Sequence, residues 1–95
     1  MPEVHVTIPR ELRSLCDAVR GGSELCVAAH EVRELLDELA RRHPQLHVRV
    51  CDERGEPRPH INVFVNDEHI RARCGLDTPL IAGDRVSILP AVSGG

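Results

Sequence analysis

The sequence predicts an α+β fold in which a mixed sheet packs against one main helix. Strict apolar alternation near both ends of the chain marks strands, and a single helical apolar stripe lies between them. With 95 residues, 41 % of them hydrophobic and 28 % charged, the chain can fill one core but not two. The expected division is a folded domain over residues 1–90 and a flexible C-terminal tail over residues 91–95.

Val4, Val6 and Ile8 alternate with His5, Thr7 and Pro9, the period-two pattern of a strand buried on one face. The stretch from Leu12 onward is mixed and reaches Gly21-Gly22, a pair that suits a turn. Residues 24–29 resume as a short second strand with Leu25 and Val27 on the inner side, which completes an opening hairpin.

Over residues 31–43 the period becomes helical. Val32, Leu35, Leu36 and Leu39 fall at i, i+3, i+4 and i+7 on one stripe. Glu31 and Glu34 near the start and Arg41-Arg42 at the end complement the helix dipole, and Asp37 with Arg41 and Glu38 with Arg42 are spaced to pair at i, i+4. Ala29 or His30 stands where a capping Ser, Thr or Asp is favoured, and Pro44 stops the helix.

Residues 46–51 alternate like a strand but also fit a short helical turn, and residues 52–59 read as a polar loop rich in Gly and Pro. Ile61 to Val65 is a strong strand, closed by a turn at Asn66-Asp67 and followed by a short strand around residues 69–71. Residues 75–83 connect to the last strand, Arg85–Pro90, in which Val86 and Ile88 face one way and Ser87 and Leu89 the other. One amphipathic helix between two hairpin-like halves can bury its stripe only by lying across one face of the sheet. That arrangement is the β-grasp, or ubiquitin-like, fold, with the first and last strands expected to pair in parallel at the sheet centre.

Composition narrows the function. Phe64 is the one aromatic residue and the formal net charge is -3, so the chain lacks both the stacking platforms and the basic excess that nucleic-acid binding draws on. No stretch approaches the roughly 20 apolar residues of a spanning helix, and Met1-Pro2-Glu3 lacks the layout of a signal peptide. A cytoplasmic protein with no membrane partner is expected, a monomer when free. There Cys16, Cys26, Cys51 and Cys74 should be reduced thiols, and none forms a Cys-x-x-Cys pair. His60 and Cys74 could share a metal, but no second local pair supports one, so no metal site is expected. All 12 basic residues are arginine, which leaves no side-chain amine for conjugation to a copy of itself.

No phosphate loop, His-Glu-x-x-His or recognisable nucleophile, base and acid set is present. The six histidines are scattered, and a β-grasp interior filled with aliphatics leaves no room for a substrate pocket of a few hundred Å³. The chain is therefore expected to be a substrate of other enzymes and to hold no cofactor. The chemistry concentrates at Gly94-Gly95, soon after the strand ending at Pro90. Residues without Cβ can thread a narrow channel and let a partner's nucleotide approach the α-carboxylate.

Val4-His-Val-Thr-Ile-Pro9, Glu31-Val-Arg-Glu-Leu-Leu36, Ile61-Asn-Val-Phe-Val-Asn-Asp67 and above all Ala82-Gly-Asp-Arg-Val-Ser-Ile-Leu-Pro-Ala-Val-Ser-Gly-Gly95 resemble the ThiS/MoaD family of ubiquitin-like sulfur carriers. The likeness covers essentially the whole chain and is strongest to the branch that serves cysteine biosynthesis in actinobacteria. It implies an E1-like enzyme that uses ATP to adenylate the Gly95 carboxylate. A sulfur donor then converts it to a thiocarboxylate, and a biosynthetic enzyme accepts the sulfur for cysteine, thiamin, molybdopterin or a secondary metabolite. Two other readings remain: a modifier joined to lysines through Gly95, and a β-grasp interaction domain with an inert tail. The four cysteines and the missing lysine are not part of the family pattern.

Docking calls for exposed apolar surface. If Ile61, Val63 and Val65 face the helix, Phe64 faces solvent, and Leu89 does so if Val86 and Ile88 face in. Phe64, Leu89, Pro90, Val92 and Ser93 are the expected partner-binding residues, with Gly94 and Gly95 the site of adenylation and thiocarboxylate formation.

Overall fold

The computed structural model describes residues 1–10, 12 and 24–90; the Gly21-Gly22 turn, Cys16 and the tail 91–95 lie outside the described residues. Five strands form one sheet: β1 (Glu3–Thr7), β2 (Glu24–Ala28), β3 (Ile61–Val65), β4 (Glu68–His69) and β5 (Arg85–Pro90). Their order is β2-β1-β5-β3-β4. Strand β1 runs antiparallel to β2 and parallel to β5, and β3 runs antiparallel to both β5 and β4. This is the expected β-grasp, with β1 and β5 side by side at the centre.

Alternation sets which side chains enter the core. Val4, Val6, Leu25, Val27, Val63, Val65, Val86 and Ile88 are all buried, and across them lies helix α1 (Val32–Arg42) with Val32, Leu35, Leu36 and Leu39 buried on one stripe. The apolar surface these residues remove from water is the main force holding the helix to the sheet.

The start of α1 shows how tertiary contact replaces a missing cap. Glu31, rather than Ala29 or His30, is the N-cap, and its side chain makes no capping bond. Instead the Val32 N–H donates to the Thr78 carbonyl at 3.1 Å, and the Leu80 N–H to the His30 carbonyl at 2.8 Å. The His30 N–H reaches forward to Glu34 Oε1 at 2.6 Å. Buried Thr78 is itself held by its hydroxyl, which donates to the Gly75 carbonyl at 2.7 Å and accepts from the Cys74 N–H at 3.2 Å. Orphan donors of the first turn are thus met by a segment far away in sequence.

Three local expectations need correction, and residues 46–51, left open between a strand and a helical turn, prove helical: helix α2 (Pro44–Val50) buries Leu46 and Val50, four apart on one face. Pro44 both ends α1 and opens α2, because a helix N-terminus has no use for the missing N–H. The strand placed around residues 69–71 is shorter and earlier, at Glu68–His69, because the His69 ring accepts the Arg71 N–H at 3.0 Å and folds Ile70–Ala72 into a 3₁₀ turn. A second 3₁₀ turn, Gly75–Asp77, interrupts the connection before β5. The helix ion pairs also differ: Arg41 bonds to Glu38 at 2.7 and 2.6 Å, one residue closer than Asp37, while Arg42 donates to the Cys26 carbonyl at 3.3 Å.

The loop after α2 folds around Asp52, whose Oδ1 accepts the Arg54 and Glu56 N–H groups at 2.9 and 3.1 Å. These bonds, that of Glu56 foremost, hold the Asp52 carboxyl below its ordinary range against the opposing effect of burial. Among the described residues no helix is long and apolar enough to cross a membrane.

Candidate functional site

Strand β5 positions the site. It pairs with β1 over Arg85–Ser87 and with β3 along Val86–Pro90, and its last residue, Pro90, lies opposite Ile61. The ladder to β3 runs to the end of the strand, so the sheet fixes the point at which the chain passes into residues 91–95. Val92, Ser93, Gly94 and Gly95, four of the expected functional residues, lie beyond that point and outside the described residues.

Phe64 and Leu89 are brought together on the outer face of the sheet near this exit, while Pro90, the next residue, lies opposite buried Ile61 and does not share that face. Register places Phe64 opposite Ser87 and Asn62 opposite Leu89, so Phe64 and Leu89 are diagonal neighbours within side-chain reach. Leu89 is 41 % exposed, whereas its strand neighbour Ile88 is fully buried. Phe64 is on the expected face but only half-exposed. The His69 ring stands edge-on to it at 5.1 Å, and His69 Nε2 lies 3.1 Å from Asn62 Oδ1. Because Nδ1 accepts the Arg71 N–H, the proton that bonds Asn62 must sit on Nε2. The ring is held at both nitrogens, and this His69 brace is the contact that strand parity alone could not disclose.

The turn between β3 and β4 holds this face in register. Asn66 adopts φ 56°, a left-handed conformation that asparagine tolerates better than most residues. Its N–H donates to the Arg85 carbonyl at 2.7 Å, its Oδ1 accepts the Arg85 N–H at 3.1 Å, and its Nδ2 donates to Asp84 Oδ1 at 3.2 Å.

Around the exit the structure also gathers Pro9, Leu12, Arg49, His60 and Ile61, which with Pro90 line a depression of about 210 Å³. Apart from Pro90, sequence reading gave these residues no role at the tail. The available signal was the parallel pairing of β1 with β5, since residues just past β1 must then flank the end of β5. A second depression of about 420 Å³, lined by Pro44, Gln45, Val48 and Arg49, lies open on α2. Both recesses lie on the surface and not in the aliphatic interior, where no pocket was expected. Among the described residues, the second brings together no acid, histidine or cysteine.

The thiols fall into different settings. Cys26 and Cys74 are exposed and Cys51 is buried, all unpaired as disulfides. Burial pushes the Cys51 thiol up from 9.0 to about 12, so it stays protonated. Among the described residues no group of three or more His, Cys, Asp or Glu is placed to hold a metal.

Comparison with known proteins agrees with this geometry. The model of the ThiS family matches residues 7–95. The sulfur carrier protein CysO of Mycobacterium tuberculosis is 32 % identical over 94 residues, covering 97 % of this chain and 98 % of that protein. A chain in the crystal structure of the Amycolatopsis orientalis BexX/CysO complex superposes with TM-score 0.82 at 36 % identity, covering 97 % of this chain and 99 % of that one. The crystal structure of small archaeal modifier protein 1 (SAMP1) from Haloferax volcanii superposes with TM-score 0.74 at 31 % identity, covering 98 % and 99 %.

Proposed function

The chain belongs to the ThiS family, and from that premise we propose that it is a sulfur carrier of the CysO type whose working group is the Gly95 carboxylate. The observation that carries this reading is the ending Gly94-Gly95, which closes the chain five residues past a strand paired to its last residue with β3. A rigid base and a short glycine-tipped tether suit delivery of a carboxylate into another protein's active site.

A carboxylate is a poor electrophile. In the proposed cycle an E1-like partner uses ATP to convert it to an acyl-adenylate, releasing pyrophosphate. A sulfur donor then displaces AMP to leave a thiocarboxylate at Gly95. The new sulfur is a strong nucleophile and passes to the substrate of a biosynthetic enzyme, whether for cysteine, thiamin, molybdopterin or a secondary metabolite. The chain supplies no catalytic residue and holds no cofactor of its own; its contribution is docking and reach. Leu89 and half-exposed Phe64 offer the apolar docking patch, with Pro90, Val92 and Ser93 continuing it toward the partner's channel.

The named archaeal modifiers among the similar proteins favour one second reading, attachment of Gly95 to lysines of other proteins through the same adenylate. Replacing Gly95 by Val tests what both readings share. With an E1-like enzyme and ATP, adenylate-dependent pyrophosphate exchange should fall by at least tenfold while the unfolding midpoint stays unchanged. Undiminished exchange would contradict a role for the glycine in access to the nucleotide.

A further inference from the structure

His69 is held at both ring nitrogens by different elements. The Arg71 N–H donates to Nδ1 at 3.0 Å, which caps the turn Ile70–Ala72, and Nε2 lies 3.1 Å from Asn62 Oδ1 on β3. The ring also stands edge-on to Phe64 at 5.1 Å. One protonation state alone satisfies this arrangement. A backbone N–H can only donate, so Nδ1 must carry a lone pair and the single ring proton must sit on Nε2.

A second proton breaks the arrangement at a defined atom. It goes to Nδ1, where two donors, Nδ1–H and the Arg71 N–H, then face each other. Both nitrogens of an imidazolium are donors, so turning the ring over restores nothing. Histidine is the side chain that ordinarily gains its charge between about pH 8 and about pH 5. The charged groups around this one are balanced in sign. Glu68 precedes it on β4 and pairs with Arg73 at 3.9 Å, while Glu56 from the loop after α2 and Arg71 share with it the lining of a depression of about 220 Å³. The facing side chains of β3, Asn62 and Phe64, are uncharged, as are Gly75 and Leu76 of the second 3₁₀ turn.

We infer that His69 is a proton-operated latch on the docking face. Neutral, it ties Phe64 and Asn62 of β3 to the turn after β4. As imidazolium it lets go of the turn, and the ring leaves its edge-on seat against Phe64. The inference rests on the docking role proposed above for Phe64 and Leu89, since a patch that has lost its support is less pre-organised for a partner.

An NMR titration of the full chain between about pH 8 and about pH 5 tests the latch. As the His69 ring carbons report protonation, the Arg71 amide should shift with the same midpoint, and contacts between the His69 and Phe64 rings should be lost. His69→Asn is the matched control. Asparagine is a favoured cap but gains no proton, and Glu56, Glu68, Arg71 and Arg73 all stay in place, so its Arg71 amide should hold still over the same range. An Arg71 amide that ignores His69 protonation, one that moves equally in His69→Asn, or a His69 ring still neutral at about pH 5 would each overturn the inference. Binding to an E1-like enzyme reads the consequence. The ratio of affinity at about pH 8 to that at about pH 5 should be about fivefold larger for wild type than for His69→Asn, and equal ratios would overturn the latch as a control on docking. If Phe64→Ala binds that enzyme as wild type does while the free chain shows the latch, the docking reading falls and the latch stands.

Discussion

The two faces of the sheet are built from alternate residues of the same strands, yet they answer to different constraints. Val63 and Ile88 point inward and are almost wholly buried beneath α1, while their immediate neighbours Phe64 and Leu89 point outward. On the inner face, composition is set by the volume to be filled. On the outer face a side chain can be exchanged at little cost to the fold, so what stands there is free to serve docking. A one-residue slip of register would exchange the two sets.

Truncating the inner face should have the largest effect. Leu36→Ala leaves a cavity between helix and sheet and should cost about 2–5 kcal/mol in urea unfolding. Next comes the turn that fixes register. Asn66→Ala removes the side-chain bonds to Asp84 and Arg85 and places alanine at positive φ, which should cost about 2 kcal/mol. Asn66→Gly should recover part of that loss, since glycine accepts the backbone conformation.

The outer face should respond differently. Phe64→Ala should cost about 1–2 kcal/mol, for the half-buried ring and its contact with His69, and should weaken partner binding at least tenfold. A stability loss equal to that of Leu36→Ala would abolish the distinction between the faces. Leu89→Ala should cost under about 1 kcal/mol and still weaken binding. The smallest effect appears only in alkali. Cys51 keeps its proton to about 12 in the folded state but loses it near 9.0 when unfolded. Its contribution is therefore complete below pH 9.0 and declines as pH rises toward about 12. Cys51→Ala should flatten the fall of the unfolding temperature across that window.

Much of this was legible from sequence because the signals are periodic. Alternation in β1, β3 and β5 and the stripe of α1 each name a buried set, and one helix against five short strands leaves few ways to close a core. Elements held by contacts distant in sequence were not legible. Residues 46–51 alternate as a strand would, and only burial of Leu46 and Val50 together makes them α2. The start of α1 depends on Thr78 and Leu80, which no local capping rule anticipates. At the candidate site, parity placed Phe64 and Leu89 correctly, but the His69 brace and the gathering of Arg49 and His60 beside Pro90 depend on strand order and on α2. The importance of Gly94-Gly95 came from the resemblance as much as from the residues, since a pair of glycines has no side-chain chemistry to read.

Intact-protein mass spectrometry after incubation with an E1-like enzyme, ATP and a sulfur donor tests the central claim most directly. The carrier account predicts replacement of one oxygen by sulfur, localised by fragmentation to Gly95 and absent when ATP is withheld. An unchanged mass at Gly95, with the chain instead found joined to lysines of other proteins, would contradict it.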